Sequence, residues 1–185
     1  MTVKIGILPV GQVGSDLLVE LREKLVQVLP DTTCMAAETC LPLPEKAFDK
    51  KRRQYRSAVI LSRINAYAAK RKRLRSVLGV VDADIFIPEL NFVFGEAACP
   101  GKSALVSLWR LKPKFYGDAS NMELFYARAL KEAVHEIGHT LGLKHCQRSS
   151  CVMHFSNSIF DTDRKKALFC DECYLQIAMS INNLG

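Results

Sequence analysis

The amino-acid sequence predicts an α+β fold: a mixed, twisted β-sheet with helices, one of them long, followed by a small C-terminal subdomain. Three observations predict it. Apolar runs that read as strands alternate with amphipathic segments over the first 110 or so residues. One apolar stripe of helical period then runs from about residue 121 to 141. After that comes a segment of about 40 residues, too short to build a large core alone, that carries four of the chain's seven cysteines.

Residues 3–9 read as a buried first strand, and Ser15 to about Leu29 as a helix with Leu17, Leu18, Leu21, Leu25 and Val28 on one side. Thr32 to Ala37 is a short strand, and Pro42-Leu43-Pro44 marks a loop. Residues 56–73 are helical, with Ile60, Leu61, Ile64 and Tyr67 inward. Val77 to Ile87 should form one central strand, closed by Pro88. Asn91–Phe94 and Ser103–Leu108 follow as two strands around a turn at Pro100-Gly101. The long helix is expected to open on a capping box, Ser120 at N-cap with Glu123 at N3. Its stripe is Ala127, Leu130, Val134, Ile137 and Leu141, with Arg128 and Lys131 off it. A last helix covers about Asp171 to Ile181. The whole reads as a single domain, 1–185, with an N-terminal subdomain to Gly142 and a C-terminal one over 143–185.

The long helix ends in His135-Glu136-Ile137-Gly138-His139-Thr140-Leu141-Gly142-Leu143-Lys144-His145. The chain has four histidines, and three are here. From the chain's own composition this pattern arises by chance on the order of once in 10^5 such chains, so it is taken as chemical. Positions i and i+4 share a helix face, so His135 and His139 offer two imidazoles to one metal. Glu136 lies about 100° further round, beside the metal and able to take a proton from a water there. Gly142 is placed to end the helix in positive φ and bring His145 back as third ligand. Glu132 falls one turn before Glu136 and reads as a solvated carboxylate or as support for the site.

Cys146 and Cys151, then Cys170 and Cys173 after an 18-residue gap, have the spacing of a closed four-thiolate zinc site. Two disulfides or buried thiols are the alternatives. A structural zinc would staple a segment too short to build its own core. Cys34, Cys40 and Cys99 are left as reduced, partly buried thiols.

These residues together resemble the metzincin clan of zinc metallopeptidases, and more narrowly the archaemetzincins. The resemblance rests on the eleven-residue motif followed at once by Cys146, on Cys151-Val152-Met153, and on the Cys170/Cys173 pair. The run from Val152 to Ser158 and, upstream, Arg53-Gln54-Tyr55 before Ile60-Leu61 are also similar. It implies a metzincin-like fold and a catalytic zinc on His135, His139 and His145, with Glu136 as general base. It also implies a Met-turn methionine, Met153, packed beneath that zinc. A tyrosine found in some metzincins two residues after that methionine is absent, the position being Phe155. An edge strand before the catalytic helix would pair with extended substrate, and Ser103–Leu108 is its candidate.

The expected function is zinc-dependent hydrolysis of peptide bonds, with two Zn²⁺ per chain and a peptide or protein as partner. The alternative is a zinc-stabilised peptide-binding module with little or no hydrolysis. No apolar run is long enough to span a membrane, and the N-terminal strand lacks a cleavage site, so a cytoplasmic monomer is expected. The net charge of +7 is concentrated in two basic runs, 50–56 and 70–75. They read as solvated helix ends, and nucleic acid is not expected as a partner.

Overall fold

A computed structural model describes residues 2–182. Five strands form the main sheet, in the order β2-β1-β5-β8-β7: β1 (Val3–Val10), β2 (Thr32–Ala36), β5 (Ser76–Val81), β7 (Gly95–Ala97) and β8 (Ser103–Ser107). β1, β2, β5 and β8 run parallel, and β7 closes one edge antiparallel to β8. The sheet is therefore mixed. A second, small sheet joins β3 (Phe48–Asp49), β4 (Gln54–Arg56) and β6 (Ile85–Phe86). The helices are α1 (Ser15–Val28), α2 (Ser57–Ala69), α3 (Met122–Thr140), α4 (Ile159–Arg164) and α5 (Asp171–Asn182).

β5 and β8 are buried along their whole length, as parallel strands covered on both faces must be. Alternation sorts their side chains. Leu78, Val80, Ala104 and Val106 face α1 and α3, whereas Val77, Val81 and Leu105 face Ile60 and Ile64 of α2. The first of these cores continues past α3 into Leu143, Val152, Met153 and Ile177, so the C-terminal segment packs on the same layer as the sheet.

Several boundaries differ from the sequence reading. α3 is capped by Asn121, not Ser120: the Asn121 side chain accepts from Leu124 N at 2.9 Å. The buried face of α3 is set by Phe125, Ala129, Ala133, Val134 and Ile137, and Ala127 is exposed. Arg128 is buried: its guanidinium makes two bonds to Asp163, at 2.7 and 2.6 Å, and one to Leu111 O. The expected strand Val77–Ile87 breaks after Val81, because Asp82 and Asp84 turn out to meet Lys112 and Arg110. Ile85-Phe86 then joins the small sheet. Asn91–Phe94 is not a strand but a loop, tied down by Gln54 Nε2 to Asn91 O and by Val93 N to Ile85 O. Cys40 and Cys99 are exposed, and Cys34 is half-buried, its thiol pushed up to about 11 chiefly by burial.

The basic runs do structural duty in part. Residues 50–53 make the β3–β4 turn, in which Asp49 accepts from Lys51 N and Arg52 N. Arg52 bonds Leu90 O at 2.9 Å and lies over the Phe86 ring. Arg75 donates to Gly101 O and to Thr140 O, at the C-terminal end of α3, where a cation suits the helix dipole.

Candidate metal centres

α3 delivers three of the motif residues. His135 and His139 sit one turn apart with ring centroids 4.6 Å apart, and Glu136 follows His135 around the helix. The helix stops at Thr140. Gly142 takes φ +97°, a value that a side chain resists, and turns the chain back. Gly142 N bonds His139 O, and Leu143 N bonds Gly138 O. The reversal brings the His145 ring to 4.9 Å from His139 and 5.3 Å from His135. One donor atom from each of the three lies within 4.8 Å of the others.

The tautomers follow from the partners. His135 Nδ1 faces Val152 O at 2.8 Å and His139 Nδ1 faces Leu143 O at 2.7 Å. A carbonyl can only accept, so both Nδ1 atoms carry the proton and both Nε2 atoms present lone pairs. Those Nε2 atoms lie 3.1 Å apart. Two bare acceptors at that distance repel unless a cation joins them. A tetrahedral zinc sets its nitrogens about 3.3 Å apart, so the donor set fits that ion. Burial lowers the basicity of all three imidazoles, and the Lys165 charge adds to this. Neutral imidazole is the ligating form.

Glu136 is 5 % exposed. Burial holds its carboxyl well above the usual range; Glu132 and Glu96 push the same way, and Lys165 opposes them. The side chain fits only because Gly95 of the edge strand has none. A Cβ there would stand 2.5 Å from Glu136 Oε1. Gly138 plays the matching part on the other side of α3, where a Cβ would meet Met153 Sδ at 2.5 Å. Met153 is wholly buried against that gap. The sequence reading passed over Gly95 and Gly138. A glycine within a strand and one within a helix were the available signals.

A cleft of about 260 Å³ opens over these residues. The three histidines, Glu132 and Glu136 line it together with Gly95, Glu96 and Ala97 of β7. Phe92, Val93 and Phe94 add an apolar wall. The edge strand at the cleft is thus β7 and not Ser103–Leu108, since β8 is flanked by β5 and β7 inside the sheet. Phe155, in place of the tyrosine, packs its ring 5.0 Å from that of His145. His154 bonds Cys146 O through Nδ1.

The cysteines form a second cluster. Cys146, Cys151, Cys170 and Cys173 bring their sulfurs within 4.8 Å of one another, and all four are free thiols. Cys146 and Cys170 stand 3.8 Å apart, far beyond a disulfide and about the sulfur spacing around a tetrahedral zinc. Backbone N–H groups of Arg148 and Cys170 point at the Cys146 and Cys151 sulfurs, the arrangement a thiolate needs. The two clusters share backbone. His145 adjoins Cys146, and the carbonyl holding His135 belongs to the residue after Cys151.

The model of peptidase family M54 matches residues 15–179. An archaemetzincin of Methanocaldococcus jannaschii is 43 % identical over 173 residues, 94 % of this chain and 92 % of that protein. One from Pyrococcus abyssi is 39 % identical over 178 residues, 95 % of this chain and 94 % of that one. The crystal structure of the Methanopyrus kandleri archaemetzincin superposes with a TM-score of 0.85 at 33 % identity, covering 98 % of this chain and 96 % of that one. A zinc-dependent peptidase from Methanocorpusculum labreanum gives 0.84 at 28 %, covering 94 % and 99 %. With the donor sets already described, these matches settle the family: the chain is an archaemetzincin, a zinc metallopeptidase of family M54.

Proposed function

We propose that peptide hydrolysis takes place at His135, His139 and His145, with Glu136 as general base, and that a second, structural zinc sits on Cys146, Cys151, Cys170 and Cys173. The observation that carries the reading is the pair of unprotonated Nε2 atoms 3.1 Å apart, aimed at a point that the third imidazole also reaches. Zinc held there would supply Lewis acidity, acidifying a water and polarising the scissile carbonyl. The chain's own residues do the rest. Val152 O and Leu143 O hold two imidazoles in the ligating tautomer. Glu136, buried beside them, takes the proton from the attacking water on its carboxylate and passes it to the leaving amine. Gly142 makes the third ligand possible, and Met153 packs into the gap that Gly138 leaves on α3 between the two helical histidines in sequence.

An extended peptide is expected to lie along β7, whose three residues all line the cleft. The remaining parts of the proposal are a single domain divided at Gly142 and a cytoplasmic monomer that binds no nucleic acid. Among the described residues no helix is long and apolar enough to cross a membrane.

Two measurements test this. Elemental analysis of the parent, His139→Ala and Cys170→Ala should give two, one and one zinc per chain. Glu136→Gln should keep both zincs and lose cleavage of an internally quenched peptide library by about 10^3-fold or more. A Glu136→Gln protein as active as its parent would remove Glu136 from the reaction. A parent that holds zinc but cleaves nothing would leave a peptide-binding module.

A further inference from the structure

Lys165 is 1 % exposed, and a lysine is seldom buried without a partner. Its partner is Glu132, also buried, whose Oε1 lies 2.9 Å from the ammonium. The same oxygen accepts from Thr162 Oγ1 at 2.7 Å and from Ser156 Oγ at 3.2 Å. The ammonium also reaches the His154 carbonyl at 3.4 Å. One carboxylate and one ammonium thereby gather α3, α4 and the segment that follows Met153.

That segment is a wall of the cleft. Phe155, Ser156 and Asn157 all line it, and Phe155 packs on His145. Glu132 lies one turn before Glu136 on α3. The hydrolysis outlined above uses neither Glu132 nor Lys165. Stability does not explain them either, because an apolar pair of similar volume is often as stable as a buried ion pair or more so. Charges add direction. Hydrogen bonds converging on one oxygen fix a segment at a point, where methyl groups would let it slide.

We propose that the buried Lys165–Glu132 pair is a positioning device, which fixes His154–Asn157 as a wall of the cleft and thereby sets the affinity for peptide. The proposal rests on the peptidase reading and deepens it: the pair acts on substrate binding and leaves the proton transfer to Glu136. Glu132 lines the cleft together with Ser156, which places the pair directly behind its wall.

The test is the double variant Glu132→Leu/Lys165→Met of the full chain, with Ser156→Ala as a milder second variant. Zinc content, unfolding midpoint, kcat and KM on a quenched peptide that the parent cleaves, and amide exchange over 154–157 are measured for each. The expected double variant keeps two zincs and unfolds no earlier than its parent. Its KM rises about tenfold while kcat stays within about threefold. Ser156→Ala raises KM about twofold, and exchange over 154–157 quickens in both variants. Parental KM and parental exchange would overturn the proposal, as would loss of the histidine-site zinc, since the pair would then hold the metal and not the wall. If the double variant does not fold, Ser156→Ala decides by the same two readings. If the parent itself cleaves no peptide, the peptidase reading fails, and exchange over 154–157 still decides the role of the pair.

Discussion

Gly95→Ala offers a direct probe of the closeness between the edge strand and the proposed base. A methyl group at Gly95 would stand 2.5 Å from Glu136 Oε1, 2.6 Å from Glu136 Cγ and 2.5 Å from Leu105 O. Ordinary contact begins near 3.4 Å, so each approach falls short by roughly 0.8–0.9 Å. Leu105 cannot yield, because it is the ladder partner of Glu96 in the centre of the β7–β8 pairing. Gly95 does not have a left-handed φ, so the whole effect is steric. β7 must therefore shift away from Leu105 O and the Glu136 side chain must move by on the order of 1 Å, which displaces the base relative to a substrate on that strand, and a misplacement of that size in a reacting group costs about 10^2-fold in rate. That factor is about 2.7 kcal/mol of transition-state stabilisation. The assay is kcat on a quenched peptide, with zinc measured on the same sample. Gly14→Ala, at a position with nothing within 4 Å, serves as the control and should behave as the parent. A Gly95→Ala protein with full zinc and parental kcat would refute the reasoning, because it would show that Glu136 has slack which the geometry denies it.

Other consequences can be checked independently. At Gly142 only Pro100 Cβ lies near a new methyl group, at 3.9 Å, so Gly142→Ala is strained by its φ of +97° alone. Its cost should be about 1–2 kcal/mol, read as weaker zinc retention at the histidines against a chelator while the cysteine zinc stays. Metal-free Glu136→Gln protein, which lacks the opposing effect of the raised Glu136 carboxyl, should lose stability on acidification. Burial, first among the causes, depresses the three motif histidines below their ordinary value near 6.5, so the unfolded chain binds more protons just below that pH. Their contribution is complete above about 6.5 and falls away as the pH drops toward the folded values, and a melting temperature flat between pH 7 and 5 would contradict it. Asp163→Ala strands the buried Arg128 guanidinium and should cost about 3 kcal/mol in urea unfolding, with an unchanged m-value.

The convergence of His135, His139 and His145 was legible in the sequence because helix spacing is rigid. His135, Glu136 and His139 need only the helical period, and Gly142 and His145 need only one sharp turn. The cysteine pairs were legible for a similar reason, since ligand spacing is a local constraint. Contacts made across the sheet were not. β7 is three residues long and has a glycine at its start, so it lacks the alternation that reveals a strand. The residues before it, Asn91 to Phe94, look like a strand, but Phe92, Val93 and Phe94 serve the cleft wall and the packed cores without joining a ladder. The β3–β4–β6 sheet has strands of two or three residues, below the length at which periodicity exists. Arg128 was placed only off the apolar stripe and Lys165 had no reading at all, because the partners that bury them, Asp163 and Glu132, lie 35 and 33 residues away in the chain. The cap at Asn121 was missed because Ser120 and Asn121 are both good caps, and only the backbone distinguishes them.

The shortness of β7 sets a limit on inhibitor design. Three residues at about 3.4 Å each give a ledge roughly 10 Å long, so main-chain pairing can grip only a tripeptide's worth of a bound molecule. Lengthening a peptidomimetic beyond that adds chain entropy to be lost with few new backbone partners. Compact compounds joining a zinc-seeking group to one apolar side chain should therefore capture most of the attainable affinity.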